Sequence, residues 1–287
     1  MNPATKISLS TVRLECYGQT SKSVGTGYLY GFHLEEDELF PVLVTNKHVV
    51  RDGTRLNIEF NVIKQGDEVG EDASAKSEER VAVVVDDLAD LIIKHPDEGV
   101  DLCVIPIGNF LNSIKLGYGI KNSLITKDWR LPAELIPIIR PIETIVMIGY
   151  PDGLWDQVNN RPLARRGLTA SHALTRWNGK RQFVIDAACF HGSSGSPVFL
   201  YEDGVVRNKE GSFDLGTRAI LLGTLWGGPM VNAKGELVDV EVPTAVDADS
   251  AKRQIPIVKT MMNLGYVIHA DALDDFIPLV RAFVPPN

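Results

Sequence analysis

The sequence of 287 residues predicts an all-β fold. Short apolar runs separated by turn residues recur along the whole chain, and such a density of short strands is typical of barrels and sandwiches. In the clearest run, Leu56, Ile58, Phe60 and Val62 alternate with polar residues, which is the period-two pattern of a half-buried strand. Hydrophobic residues make up 44% of the chain, enough for a sizeable core.

The predicted strands follow one another from the amino end to the carboxyl end. They cover residues 27–32, 40–45, 56–62, 81–85, 102–107, 145–148, 183–187, 197–201 and 220–226. The polar segment 65–80 is poor in apolar residues and predicts a surface loop. A helix is predicted at 271–287, and Asp271 can cap its amino end. One face of this helix is apolar and consists of Leu273, Phe276, Ile277, Val280 and Phe283.

Charge and hydropathy exclude several classes of function. The formal net charge is -8, and Lys and Arg are not clustered as a polyanion-binding surface requires, so we expect no nucleic-acid partner. Every long uncharged stretch is interrupted by Gly, Pro, Asn or Ser, and we expect no membrane partner. The amino end carries Lys6 and Arg13 where a secretory signal has its apolar core, so the sequence predicts a cytoplasmic protein.

The cysteines and histidines do not form a pattern that binds a metal. Cys16, Cys103 and Cys189 are far apart and odd in number, which favours reduced, buried thiols over a disulfide framework. No His/Cys cluster at metal-ligand spacing, no H-E-x-x-H motif and no phosphate loop occur in the sequence. The sequence therefore predicts neither a metal nor an organic cofactor.

The most informative segment for chemistry is 190–200, with the sequence FHGSSGSPVFL. Ser194 lies between Gly192 and Gly195, and glycines permit positive φ angles and a close approach of a substrate backbone. Such a turn can aim the backbone N–H groups of Gly192 and Ser194 at one position, where they would stabilise a tetrahedral oxyanion. A plain Gly/Ser-rich loop between two strands is the alternative for this segment alone.

A serine nucleophile needs a base, and the best candidate is His48. His48 lies where the apolar run of LVTNKHVV ends in a polar turn. Asp101 opens the apolar run DLCVIPI, and a carboxylate there could orient the imidazole. Taken singly, a structural histidine and a turn aspartate are the alternatives. Together the three residues predict a nucleophile, a general base and the group that orients the base.

Three segments resemble, in chain order, the trypsin-like serine peptidase superfamily. LVTNKHVV resembles its catalytic-histidine segment, VDLCVIPI its catalytic-aspartate segment, and GSSGSPVF its nucleophile segment. The resemblance implies a single peptidase domain, 1–287, of two packed antiparallel six-stranded β-barrels. The first, 8–130, would carry His48 and Asp101; the second, 131–270, would carry Ser194; and a carboxyl-terminal helix, 271–287, would follow. The implied function is a serine endopeptidase that forms an acyl-enzyme on a peptide or protein substrate.

Departures from the family pattern bear on specificity. Ala188 stands where relatives that cut after basic residues carry an aspartate, and Leu225 stands where relatives that cut after glutamate carry a histidine. Segment 222–228 resembles the strand that binds substrate backbone. The substrate-binding residues implied are Ala188, Leu225, Trp226, Gly227 and Gly228, with a preference for a small or apolar P1 side chain.

Other departures bear on regulation. The family's activation sequence, Arg-Ile-Val-Gly-Gly, does not occur near the amino terminus, and the disulfide beside the histidine of secreted relatives is absent. The resemblance is therefore to bacterial intracellular trypsin-like peptidases, with an activating partner as one means of control. Two other functions stay open, namely a catalytically silent pseudo-peptidase that binds peptides or proteins, and a transferase or esterase that uses the same residues.

Overall fold

Strands dominate the protein and form two large sheets. The computed structural model describes residues 2–35, 38–64, 79–234 and 257–283. Each of the nine predicted strands overlaps an observed one, and the last described element is a helix, so the predicted all-β class is confirmed. Of the predicted loop at 65–80, residues 65–78 lie outside the described residues, and Glu79 and Arg80 begin a strand instead.

In the described part of the chain, the first sheet contains eight strands. They are β1 (Thr11–Tyr17), β2 (Lys22–His33), β3 (Leu39–Thr45), β4 (Arg55–Lys64), β5 (Glu79–Asp86), β6 (Ile93–Lys94), β7 (Cys103–Pro106) and β8 (Tyr118–Ile120). Their order is β5-β4-β1-β2-β3-β7-β6, with β8 paired to β4. The resemblance implied six strands in a barrel. The first sheet departs from this, because it has two more strands and no pairing among the described residues joins β5 to β6.

Within the described ranges the second sheet has six strands, as the resemblance implied. They are β9 (Thr144–Gly149), β10 (Leu163–Thr169), β11 (Gln182–Asp186), β12 (Pro197–Arg207), β13 (Phe213–Gly227) and β16 (Leu264–His269). Their antiparallel pairings run full circle in the order β10-β11-β16-β13-β12-β9. A separate small sheet pairs β14 (Met230–Lys234) with β15 (Ile257–Met261). The predicted division into 8–130 and 131–270 stays a prediction.

The helices are short. They are α1 (Pro3–Ser10), α2 (Leu88–Leu91), α3 (Gly108–Lys115) and α4 (Ile277–Phe283), with 3-10 helices at Lys127–Trp129, Ala133–Ile138, Pro151–Gly153, Trp177–Gly179 and Ala270–Phe276. Of the predicted carboxyl-terminal helix, residues 284–287 lie outside the described residues. The cap prediction for Asp271 was wrong, because His269 occupies the cap position and Asp271 pairs with Arg181 at 2.9 Å.

A buried cluster lies between the two sheets and the carboxyl-terminal helix. Tyr28 of the first sheet, Phe199 and Ile268 of the second, and Phe276 and Val280 of the helix all belong to it. Burying a large apolar side chain stabilises the fold by about 1.5–3 kcal/mol, so this cluster fixes how the sheets meet. The Tyr28 hydroxyl also contacts Thr224 Oγ1 across the sheets at 2.9 Å.

Candidate active site

His48 and Asp101 meet because two strands of the first sheet are paired. His48 lies on the turn that follows β3, and Asp101 lies just before β7. In the β3–β7 ladder, Thr45 pairs with Cys103 in antiparallel register. The end of β3 therefore lies beside the start of β7, although the two residues are 53 positions apart in sequence.

The His48 ring is held by the Asp101 carboxylate. His48 Nδ1 lies 2.5 Å from Asp101 Oδ2, and the His48 backbone N–H donates to Oδ1 at 3.2 Å. Asn46 Nδ2 donates to the Asp101 carbonyl at 2.7 Å, which fixes the backbone that carries the carboxylate. With Nδ1–H donating to Asp101, the neutral ring keeps the lone pair of Nε2 free to accept a proton.

Ser194 lies in the tight turn between β11 and β12. Its hydroxyl donates to the Trp226 carbonyl at 3.4 Å, and among the described residues no hydrogen bond joins it to His48. Catalytic hydrogen bonds are often absent or long without a substrate and tighten in the complex. The structure therefore brings His48 and Asp101 into contact and leaves Ser194 turned towards β13.

The backbone around Ser194 leaves two N–H groups unused. Neighbouring N–H groups are engaged: Ser193 donates to the Phe190 carbonyl at 3.1 Å, Gly195 to the Leu225 carbonyl at 2.8 Å, and Ser196 to the Ser193 carbonyl at 3.0 Å. Within the described part of the chain, the N–H groups of Gly192 and Ser194 donate to no protein acceptor. These are the two groups that the sequence predicted for an oxyanion site.

The turn requires glycine at both flanking positions. Gly192 has φ +77° and Gly195 has φ +88°, in the left-handed region that favours glycine. A Cβ atom at position 192 would lie 2.5 Å from the Tyr150 carbonyl oxygen, and one at position 195 would overlap the Thr26 carbonyl. A side chain at either position would displace the loop that carries Ser194.

The predicted substrate-binding strand is β13, beside this turn. The β13–β16 register shifts between Leu225 and Gly227, so Trp226 lies at a bulge. The Trp226 indole donates to Gln182 Oε1 at 3.0 Å and stacks on Tyr266 at a centroid distance of 5.8 Å. These contacts fix the indole and with it the backbone carbonyl that Ser194 contacts.

Apolar side chains pack around Gly265 of β16 in the core of the second sheet. Leu225 is 2% exposed, and a Cβ atom on Gly265 would lie 2.6 Å from Leu225 Cδ1 and 2.7 Å from Cys189 Sγ. Burial raises the pKa of the Cys189 thiol to about 11, so this sulfur stays protonated and apolar in character. Ala188 is half-buried, Gly227 has open space where a Cβ would stand, and Gly228 packs against the Leu264 carbonyl.

Two residues beside the turn were missed by the sequence analysis. Arg165 of β10 donates to Ser193 Oγ at 2.9 Å and to the Ala188 carbonyl, and no carboxylate among the described residues lies within ion-pair distance of it. Burial lowers the pKa of the Arg165 guanidinium. Thr26 of β2 contacts the same loop from the first sheet. Nothing near either residue in sequence signalled these contacts.

Neither a metal site nor a membrane span emerges from the described residues. No group of three or more His, Cys, Asp or Glu side chains in these ranges is arranged to hold a metal ion. None of the helices in the described part is both long enough and apolar enough to cross a membrane.

Two sheets that meet around a His–Asp pair and a serine in a glycine-flanked turn define a trypsin-like fold. The trypsin-like peptidase domain family matches residues 25–207, more than half of the chain. The chain belongs to this family and is a serine-type peptidase.

The solved structures to which this chain is similar are distant in sequence. A serine-to-alanine variant of the HtrA-type protease AlgW with a tripeptide has a TM-score of 0.50 at 12% identity; the match covers 97% of this chain and 62% of that one. Rv3671c from M. tuberculosis H37Rv has a TM-score of 0.42 at 15% identity, and the match covers 100% of this chain and 94% of that one. A serine endoprotease from Yersinia pestis has a TM-score of 0.46 at 13% identity, and the match covers 96% of this chain and 64% of that one. Among curated protein sequences, none matches this chain significantly.

Proposed function

We propose that the protein is a serine endopeptidase in which Ser194 is the nucleophile, His48 the general base and Asp101 the residue that orients His48. The observation that carries the proposal is the 2.5 Å contact between His48 Nδ1 and Asp101 Oδ2, in a chain of the trypsin-like peptidase family. The unengaged N–H groups of Gly192 and Ser194 support it from the other side of the site.

In the proposed mechanism, the Ser194 hydroxyl first turns from the Trp226 carbonyl to His48 Nε2. Ser194 Oγ then attacks the scissile carbonyl carbon while His48 takes the hydroxyl proton, and Asp101 stabilises the resulting imidazolium. The Gly192 and Ser194 N–H groups donate to the oxyanion. The intermediate collapses as His48 protonates the leaving amine. Water, activated by His48, next hydrolyses the acyl-enzyme and restores Ser194.

The turn of the Ser194 hydroxyl has a second consequence for substrate binding. It frees the Trp226 carbonyl to accept a backbone N–H of the substrate. An extended peptide that pairs with 226–228 would add a short strand beside β13, and the main-chain hydrogen bonds would give affinity independent of side chains. This interaction favours a peptide substrate over a small ester or an acyl-transfer donor.

We also propose a small, apolar P1 side chain. Leu225 and Cys189 both pack against Gly265, and Leu225 directly precedes Trp226, whose carbonyl contacts Ser194, so we expect little room for a long side chain beside Ser194. Ala188 supplies no charge for a basic P1 residue. An activating partner and a cytoplasmic location stay predictions from the sequence.

A fluorophosphonate serine probe tests the catalytic proposal directly. We expect the wild type to be labelled, and Ser194→Ala and His48→Ala to be unlabelled. In a serine peptidase with the same three catalytic residue types, loss of the serine or the histidine lowers kcat by about a millionfold. Ser212→Ala is the matched control, since Ser212 is exposed and remote in sequence from the site. A peptide library read by mass spectrometry then gives the P1 preference.

One observation favours the second candidate, a pseudo-peptidase that binds peptides without cutting them. Ser194 Oγ contacts Trp226 and forms no hydrogen bond with His48 in the described part of the chain. Two results together would establish this function and overturn the catalytic one. The folded wild type would not be labelled by the probe, and wild type and Ser194→Ala would bind library peptides equally well.

A further inference from the structure

We propose that Thr26 is a positioning residue for the oxyanion site. Thr26, on β2, holds the carbonyls of Gly192 and Ser194 so that the N–H groups of these two residues face outward. The inference deepens the proposed function and rests on it for its catalytic consequence. Its structural content concerns only how the first sheet fixes a loop of the second.

Every polar group of Thr26 is engaged. Thr26 is fully buried, and its hydroxyl donates to the Gly192 carbonyl at 2.8 Å and accepts from the Tyr150 N–H at 3.0 Å. Its backbone N–H donates to the Ser194 carbonyl at 2.9 Å, and its own carbonyl accepts from Thr45 Oγ1 at 2.8 Å. One residue of the first sheet thus binds the nucleophile loop at two carbonyls.

Peptide geometry connects these carbonyls to the oxyanion N–H groups. In a planar trans peptide unit the C=O and the N–H point in opposite directions, so fixing one fixes the other. The 192–193 unit is fixed by Thr26 Oγ1 and the Phe190 carbonyl, and the 194–195 unit by the Thr26 N–H and the Leu225 carbonyl. Between them lies the 193–194 unit, which carries the Ser194 N–H. With both neighbours fixed, this N–H keeps its outward direction.

The Gly192 N–H is held through a turn that Thr26 also contacts. This N–H belongs to the 191–192 peptide unit, whose carbonyl accepts from the Asp152 N–H at 2.6 Å. Asp152 has φ 46°, in a tight turn that begins at Tyr150, and Tyr150 donates its N–H to Thr26 Oγ1. The Thr26 hydroxyl therefore joins the turn that begins at Tyr150 to the loop that carries Ser194.

Removing the hydroxyl leaves two backbone groups, one buried and one partly buried, without protein partners. The Gly192 carbonyl and the Tyr150 N–H would both be unsatisfied, and such groups are costly in a protein interior. The loop can relieve this by rotating its peptide units, which would turn the oxyanion N–H groups away from the substrate. We therefore expect the transition state to lose more stabilisation than the bound substrate does.

The kinetic test compares Thr26→Val, which keeps the shape and loses the hydroxyl, with Thr26→Ser, which keeps the hydroxyl. For Thr26→Val we expect kcat to fall by about 10- to 1000-fold, up to the cost of losing one oxyanion donor. KM should change little, and the pH midpoint of activity should not move, because His48 and Asp101 are untouched. Thr26→Ser should restore most of the rate.

Thr11→Val is the matched control. The Thr11 hydroxyl is also buried and donates to a backbone carbonyl, that of Ile7, but it does not contact the nucleophile loop. Equal loss of kcat in Thr26→Val and Thr11→Val, or no recovery in Thr26→Ser, would overturn the proposal. If Thr26→Val does not fold, Thr26→Ala makes the same comparison.

Amide hydrogen exchange tests the positioning role without relying on activity. The Ser193 and Gly195 amides donate within the protein, and we expect them to exchange faster in Thr26→Val than in wild type or Thr11→Val. Unchanged exchange at both amides would refute the role of Thr26 even in an active enzyme. Faster exchange in a chain that the serine probe never labels would refute the proposed function and support the role of Thr26.

Discussion

The two halves of the candidate site are built by different means. In the half from the first sheet, a side-chain contact of 2.5 Å joins His48 and Asp101. In the half from the second sheet, the direction of the Ser194 N–H and of its neighbours depends on backbone carbonyls held by distant donors. The geometry of the first half depends on the identity of two side chains, and the geometry of the second half depends on the conformation of a loop. Substitutions should therefore affect the two halves differently.

The largest effect tests the first half. We expect Asp101→Asn to lower kcat by about 10⁴-fold, because an amide has the shape of the carboxylate but favours the wrong tautomer of His48. Rates of peptide hydrolysis measured for wild type and Asp101→Asn check this expectation. A near-normal rate in Asp101→Asn would contradict the assignment of these two residues.

A smaller effect tests the second half. Arg165→Met removes the donors to the Ala188 carbonyl and to Ser193 Oγ, and we expect it to lower kcat by about 10- to 100-fold by loosening the oxyanion loop. The control is Arg166→Met on the same strand, since Arg166 is exposed and faces the other way. Probe-labelling rates measure the effect. Equal rates in the two variants would show that the loop does not depend on the buried guanidinium.

Specificity offers a milder test of the same half. Leu225→Ala empties part of the space over Gly265, and we expect kcat/KM for substrates with a leucine or phenylalanine P1 residue to rise about tenfold relative to alanine substrates. Competition between paired peptides measures this ratio directly. An unchanged ratio would place the P1 side chain elsewhere, and the proposal of a small P1 residue would then be wrong.

The same contrast explains what could be predicted from the sequence. His48, Asp101 and Ser194 could be proposed because their residue types and flanking strands reveal chemistry locally. Arg165 could not, since its partners lie 23 and 28 residues away, and the Thr26 bond to Gly192 spans 166 residues.

Strand β10 shows the same limit for the fold. It was not predicted, because Arg165 and Arg166 interrupt the apolar pattern. Pairing with β9 and β11 decides its conformation, and tertiary contacts of this kind override local propensity. Strand β1 was also not predicted, although Val12, Leu14 and Cys16 alternate with Arg13 and Glu15 in the period-two pattern of a half-buried strand. The first sheet, which has two strands more than implied among the described residues, likewise depends on pairings that no local pattern specifies.

The smallest expected effect contrasts His48 with a histidine that has no catalytic role in the proposal. Burial lowers the pKa of His269, whose Nε2 lies buried without a hydrogen-bond partner among the described residues. The unfolded chain then takes up a proton at higher pH than the folded chain does. Stability that is present above the unfolded pKa of about 6.5 is therefore lost as the pH falls through the lower, folded value. We expect His269→Gln to reduce this loss. The measurement is the free energy of urea unfolding at one pH above and one pH below the unfolded histidine pKa of about 6.5. An equal loss in wild type and variant would mean that His269 binds its proton equally well in both states, contrary to the effect of burial in the second sheet.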